Sequence, residues 1–190
     1  MGAHSKTTAK AGRQVAAGRE SRSEMIVRET DLATLDDLPG DSLALFCPED
    51  VRPLAGVMGL VDWRVCGAIS HILERETFTG ERGDVVLLPV WGRMGPRRLF
   101  IFGIGSVTEA SDEILRRSFE NALEVLRRAG VEDLLLAAPA DRDGDLETRF
   151  EAIVQRLGCE RGMLLRLRRP RVPAPGRGKR DSAKASGVVI

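Results

Sequence analysis

Strands that alternate with helices along residues 25–167 predict an α/β fold, a three-layer α/β/α sandwich around a mixed, mostly parallel sheet. Two further observations point the same way. The strand segments are continuous apolar runs, the pattern of strands covered on both faces. The chain has 190 residues and is 43% hydrophobic, enough for a sizeable core.

Met25–Val27 reads as a short first strand. Ser42–Phe46 (SLALF) is a compact apolar run ahead of Cys47 and Pro48, and reads as a buried strand. From Val57 to Arg75, apolar residues including Val57, Leu60, Val61, Val65, Ile69 and Ile72 recur at three- and four-residue spacing. This predicts one long helix, ended by the Gly80–Gly83 break. Asp84–Val90 is an apolar run with β-branched residues, read as a strand, and Leu99–Phe102 is another, stopped by Gly103. Ser111–Ala129 predicts an amphipathic helix with Ile114, Leu115, Ser118, Phe119, Ala122, Leu123, Val125 and Leu126 on or near one face. Gly130 stands where a C-terminal cap glycine belongs. Leu134–Ala137 is a strand. Asp145–Leu157 is a helix with Phe150, Ile153, Val154 and Leu157 inward, and Met163–Leu167 is the last strand.

The ends differ from this body. Residues 1–24 carry five Lys/Arg against two Glu and contain no Leu, Ile or aromatic residue. Residues 168–190 are rich in Pro, Gly, Lys and Arg. Neither segment holds enough apolar surface to offset its ordering entropy, so both are expected to be disordered basic tails. The formal net charge of +1 thus hides an acidic body between basic ends. No run of about 18 apolar residues exists, so no membrane-spanning helix is readable. The first residues have no apolar run behind their bases, unlike a secretory signal. Cys47, Cys66 and Cys159 are widely spaced and make no metal-ligand pattern, so a reducing cytoplasm is the expected location.

Few residues group into a chemical constellation. Gly103–Ile104–Gly105–Ser106 follows a strand and precedes a helix, where backbone N–H groups can hold a phosphate. Glu109, Asp112 and Glu113 crowd that helix start and would repel one, so a structural turn competes with an anion or nucleotide loop at Gly103, Gly105 and Ser106. Asp141–Arg142–Asp143–Gly144–Asp145 fails the spacing of a calcium loop, and Asp145 is expected to cap the helix that follows. His71 has no ligand partner nearby and reads as structural; Cys66 is expected to be a buried thiol. Trp63 is expected to anchor the long helix. Trp91, at a strand end beside Gly92, is a candidate interface residue. The cations Arg168, Arg169, Arg171, Arg177, Lys179 and Arg180 form a candidate surface for an anionic partner, including nucleic acid.

The order of phrases carries one resemblance. A strand leads to a helix with Asp62 near its start. Then come Phe78–Thr79–Gly80–Glu81–Arg82–Gly83, the apolar Val85–Pro89, and Leu99–Phe102 running into Gly103–Ile104–Gly105. Together with Arg116–Arg117 and the VEDLLLAAP segment, this resembles the amino-terminal domain of the leucyl aminopeptidase (M17 peptidase) family over roughly Ile26 to Leu167. The resemblance implies a fold similar to a macro domain. It also implies a second, carboxy-terminal domain that holds two catalytic metal ions. The metal-binding signatures of that domain, Asn–Thr–Asp–Ala–Glu–Gly–Arg and Gly–Gly–Met–x–x–Lys, do not occur in this sequence. No catalytic residue carries over, and neither cofactor nor metal is expected.

The function expected from these readings is a non-catalytic protein-interaction or regulatory module whose main partner is an unidentified protein. The alternatives are a macro-like domain that binds ADP-ribose or a related nucleotide, and a nucleic-acid-associated protein acting through its tails. A subunit that joins a full-length aminopeptidase ranks below these.

Overall fold

A computed structural model describes residues 25–158 and 162–168. Six strands form one sheet: β1 (Ile26–Thr30), β2 (Ser42–Pro48), β3 (Val85–Pro89), β4 (Arg98–Gly105), β5 (Leu134–Ala137) and β6 (Gly162–Leu167). Their order across the sheet is β1-β6-β5-β2-β4-β3. All neighbours run parallel except β3, which pairs antiparallel with β4 at one edge. Four helices cover the faces: α1 (Gly56–Arg64), α2 (Ala68–Glu74), α3 (Asp112–Arg128) and α4 (Asp145–Leu157). The mixed, mostly parallel α/β sandwich is the one that the alternation predicts.

The central strand β2 is buried at every position, because β4 and β5 flank it and helices cover both faces. Its residues alternate between two cores. Ala44 and Phe46 face α3 and α4, where Phe46 lies 4.6 Å from the Phe150 ring and 5.7 Å from Phe102. Leu43, Leu45 and Cys47 face α1 and α2, among Val57, Val61 and Ile69. Truncating Phe46 to Ala costs about 3–5 kcal/mol on general grounds, since it removes a fully buried ring.

Helix α3 forms as its pattern predicts. The Ser111 hydroxyl accepts the Ile114 N–H at 3.3 Å, Asp112 and Glu113 lie at the positive end, and Arg127 and Arg128 at the negative end. Beyond it, Val131 N–H reaches the Leu126 carbonyl at 3.0 Å around Gly130, closing the helix as the sequence suggests.

Five details differ from expectation. The long helix is two helices, because the backbone turns left-handed at Cys66 and Gly67 (φ 59° and 78°). Its apolar spacing continues through the break, so periodicity alone does not reveal the junction. The first strand runs on to Thr30. Strand β4 continues through Gly103 to Gly105, so Gly103 does not stop it. A Cβ on Gly103 would lie 2.0 Å from the Glu81 carbonyl oxygen: the glycine is there because another backbone crosses against it. Leu157 does not point inward but is 41% exposed. Finally, β3 is covered on one face only: Val86 and Leu88 pack against the core, while Val85, Leu87 and Pro89 are exposed.

Candidate interaction surface

The junction between α1 and α2 is held by one carboxylate. Asp62 Oδ1 accepts the N–H groups of Ile69 and Ser70 at 2.8 and 3.0 Å, and Oδ2 accepts the Ser70 hydroxyl at 2.6 Å. The last turn of α1 thereby supplies the cap for α2, satisfying donors that a helix start leaves unpaired. Trp63 follows Asp62 in the chain. It is 67% exposed, so it does not anchor the helix as expected. Cys66 is likewise exposed and not buried, since the left-handed turn swings it outward.

A second element reaches the same place. After β3 the chain turns at Trp91 and Gly92 and returns as β4, with Val90 N–H bonded to the Arg97 carbonyl at 2.9 Å. Met94 is buried, and Gly95 N–H donates to the Leu35 carbonyl at 3.2 Å, fixing the inner side of this turn. The outer side carries Trp91, 84% exposed, with a left-handed backbone (φ 54°) that β-branched and bulky residues seldom adopt. From this turn Arg93 Nη1 donates to Cys66 Sγ at 2.9 Å, tying it to the helix junction. Between the two elements lies an open groove of about 650 Å³, lined by Pro53, Leu54, Gly59, Trp63, Cys66 and Arg93 among others. Among the described residues no carboxylate pairs with Arg93. Arg64, by contrast, is held by Asp36 through contacts of 2.5–3.0 Å. The groove thus combines apolar walls, an exposed indole, the Arg93 cation and the Asp62 carboxylate of the clamp. His71 is exposed on α2.

The Gly103–Ser106 segment has a different fate. Gly103 N–H donates to the Asp84 carbonyl at 2.8 Å and Gly105 N–H to the Gly80 carbonyl at 2.9 Å. Ser106 Oγ donates to Asp50 Oδ2 at 2.5 Å, and Val107 N–H to Asp50 Oδ1 at 2.9 Å. These bonds hold the Asp50 carboxyl below its ordinary range, the Ser106 hydroxyl most of all. Two backbone carbonyls and one carboxylate of the chain itself therefore occupy these donors. Sequence reasoning missed Asp50, which sits 56 residues from its hydroxyl partner with only Glu49–Asp50 after a strand to mark it.

Near the second predicted loop, the cap of α4 is Asp141 rather than Asp145. Its carboxylate accepts Gly144 N–H at 2.6 Å and Leu146 N–H at 3.2 Å. Asp145 is already inside the helix, where its own side chain cannot reach the free donors. Arg168 lies on the folded body: its N–H donates to the Thr30 carbonyl at 2.8 Å and its guanidinium pairs with Asp31. Arg169, Arg171, Arg177, Lys179 and Arg180 lie outside the described residues, as do the two predicted tails apart from Arg168.

The sheet order and flanking helices place the domain in the macrodomain-like class of α/β folds. The macrodomain of Mycobacterium tuberculosis DarG superposes with a TM-score of 0.51 at 12% identity, covering 75% of this chain and 98% of that one. A variant of tomato leucine aminopeptidase superposes equally, with a TM-score of 0.51 at 13% identity, covering 78% of this chain and 33% of the enzyme. At such identities the likeness is one of fold alone.

Sequence takes the assignment further. Residues 43–159 match the model of the cytosol aminopeptidase family, N-terminal domain, and the chain belongs to that family. A probable cytosol aminopeptidase of Geotalea uraniireducens is 34% identical over 88 residues, which are 46% of this chain and 18% of the relative. Another, of Pseudomonas syringae pv. tomato, is 35% identical over 86 residues, 45% of this chain and 17% of the relative. The chain spans about a fifth of the length of such relatives, so the matched region is the N-terminal domain. No helix among the described residues is long and apolar enough to cross a membrane.

Proposed function

We propose that this domain is a non-catalytic interaction module, and that it binds a partner protein through the surface bearing Trp63, Trp91 and Arg93. The observation that carries the reading is the exposure of both tryptophans of the chain, 67% and 84%, on two elements joined by the Arg93–Cys66 bond. Trp is enriched among the residues that contribute most to protein interfaces, and such residues cluster near interface centres. The backbone beneath them is fixed: the Asp62 clamp holds the helix junction and Met94 with Gly95 holds the turn. Docking therefore orders the two indoles without reordering the backbone that carries them.

The test compares the full chain with a Trp63→Ala/Trp91→Ala variant as bait in extract of the native cell. The module reading expects a protein held by the first and lost from the second, with both baits equally folded by circular dichroism. Equal capture by both removes the tryptophan surface from the account. Hydrolysis of a leucyl-amide substrate by pure, metal-supplied protein contradicts the non-catalytic half of the proposal.

A further inference from the structure

We infer that β3 is a self-pairing edge, through which two copies of this chain join in antiparallel register to continue the sheet. Among the described residues, β3 pairs with β4 alone, and no strand lies on its outer side. The direction of its free hydrogen-bonding groups follows from the ladder. Asp84 accepts from Gly103 at 2.8 Å and Val90 donates to Arg97 at 2.9 Å, and the register pairs Val86 with Ile101 and Leu88 with Leu99. Bonded pairs in an antiparallel ladder fall on alternate residues, so Val86 and Leu88 spend their backbone groups on β4. The N–H and C=O groups of Val85 and Leu87, and the C=O of Pro89, point outward. Pro89 has no N–H to leave unpaired, which suits this outward position.

The five-residue strand has two features that discourage pairing, its shortness and the terminal Pro89, but lacks the others. Its sequence, VVLLP, has no charge and no bulge, although native edges commonly carry a Lys or a bulge that discourages pairing. Its exposed face is apolar, with Val85 42% and Leu87 51% exposed. A second copy fits these features better than an arbitrary peptide, because the strand complements itself. With Leu87 opposite the Leu87 of the other copy, Val85 falls opposite Pro89. Each Leu87 N–H then meets a Leu87 carbonyl, and each Val85 N–H meets a Pro89 carbonyl, so every outward donor finds an acceptor. The ends agree in charge as well. Glu81, Arg82 and Asp84 precede the strand and leave one net negative charge, whereas Arg93 and Arg97 follow it, so antiparallel pairing brings the acidic end to the basic end.

Two measurements on the full chain test this surface. Sedimentation over a concentration series is expected to show a monomer–dimer equilibrium for the native chain, and monomer alone for Leu87→Lys at the same concentrations. Residues bonded across an antiparallel pair lie about 5.5 Å apart at Cα, within disulfide reach. Leu87→Cys, combined with Cys66→Ser, is therefore expected to give a covalent dimer on mild oxidation that Cys66→Ser alone does not give. A native chain that stays monomeric throughout the series overturns the inference. So does a dimer that persists in Leu87→Lys, or one that Leu87→Cys fails to cross-link, since either places the contact elsewhere. Leu87→Lys leaves Trp63, Trp91 and the Arg93–Cys66 bond in place, so its sedimentation outcome is separate from that of the interaction proposal.

Discussion

The Asp62 carboxylate on the last turn of α1 accepts the Ser70 hydroxyl at 2.6 Å on the first turn of α2. With the Ile69 and Ser70 amides on the same group, one side chain fixes the angle between two short helices. Neither helix is long enough to be stable alone, so the clamp and the core beneath it maintain the junction. Replacing Asp62 by Ala leaves the start of α2 uncapped and is expected to cost roughly 2 kcal/mol. Urea unfolding measures it, and a loss below about 0.5 kcal/mol, the range of ordinary surface changes, contradicts the clamp.

Two glycines are expected to respond differently to Ala. Gly103 has the Glu81 carbonyl in the space of a Cβ, at 2.0 Å, so Gly103→Ala must shift the backbone and is expected to cost about 3 kcal/mol. Gly67 has open space but a left-handed backbone, so Gly67→Ala is expected to cost only about 1 kcal/mol. Thermal melts of the two variants give the order; a reversed order refutes the close approach at Gly103.

Cys47 and Cys66 are expected to separate cleanly towards iodoacetamide at pH 8. Burial in the core below α1 pushes the Cys47 thiol up to about 11, so it stays protonated and shielded. Cys66 is exposed beside Arg93. Peptide mass mapping should find Cys66 modified in the native protein and Cys47 modified only after denaturation. Labelling of native Cys47 counts against the packed β2 core.

Acid is expected to weaken α3 through Glu113. Hydrogen bonds from Arg116 and then Arg117 lower its carboxyl from the ordinary 4.5 to about 2. A group lowered on folding stabilises the fold above its unfolded value, and that contribution is lost as pH falls through the folded one. The native chain should therefore exceed Glu113→Gln in stability near neutrality and lose the excess between about pH 4.5 and 2. The pair is solvent-exposed, so salt should diminish the difference. An excess that grows on acidification contradicts the assignment.

Much of the layout was legible in the residues. Continuous apolar runs such as Ser42–Phe46 and Leu134–Ala137 mark strands that lie between two helical layers, and Ser111 and Gly130 bracket α3. What stayed hidden depends on contacts between distant segments. The break at Cys66–Gly67 escapes because the apolar spacing runs through it, and with it went the true positions of Trp63 and Cys66. Gly103 read as a strand end because no sequence signal shows the Gly80–Glu81 backbone against it. The pairing of Asp50 with Ser106 joins residues that local pattern never compares. Of the proposed surface, only Trp91 was singled out in the sequence, as a candidate interface residue.

Because Trp63 and Trp91 are the only tryptophans in the chain, indole emission reports on the proposed surface directly. The most direct measurement is acrylamide quenching of that emission, free and with a captured tryptophan-free partner or partner fragment at saturation. The account predicts strong quenching in the free protein, and blue-shifted, protected emission in the complex. Emission and quenching that stay unchanged in the saturated complex contradict it, because the partner then binds elsewhere.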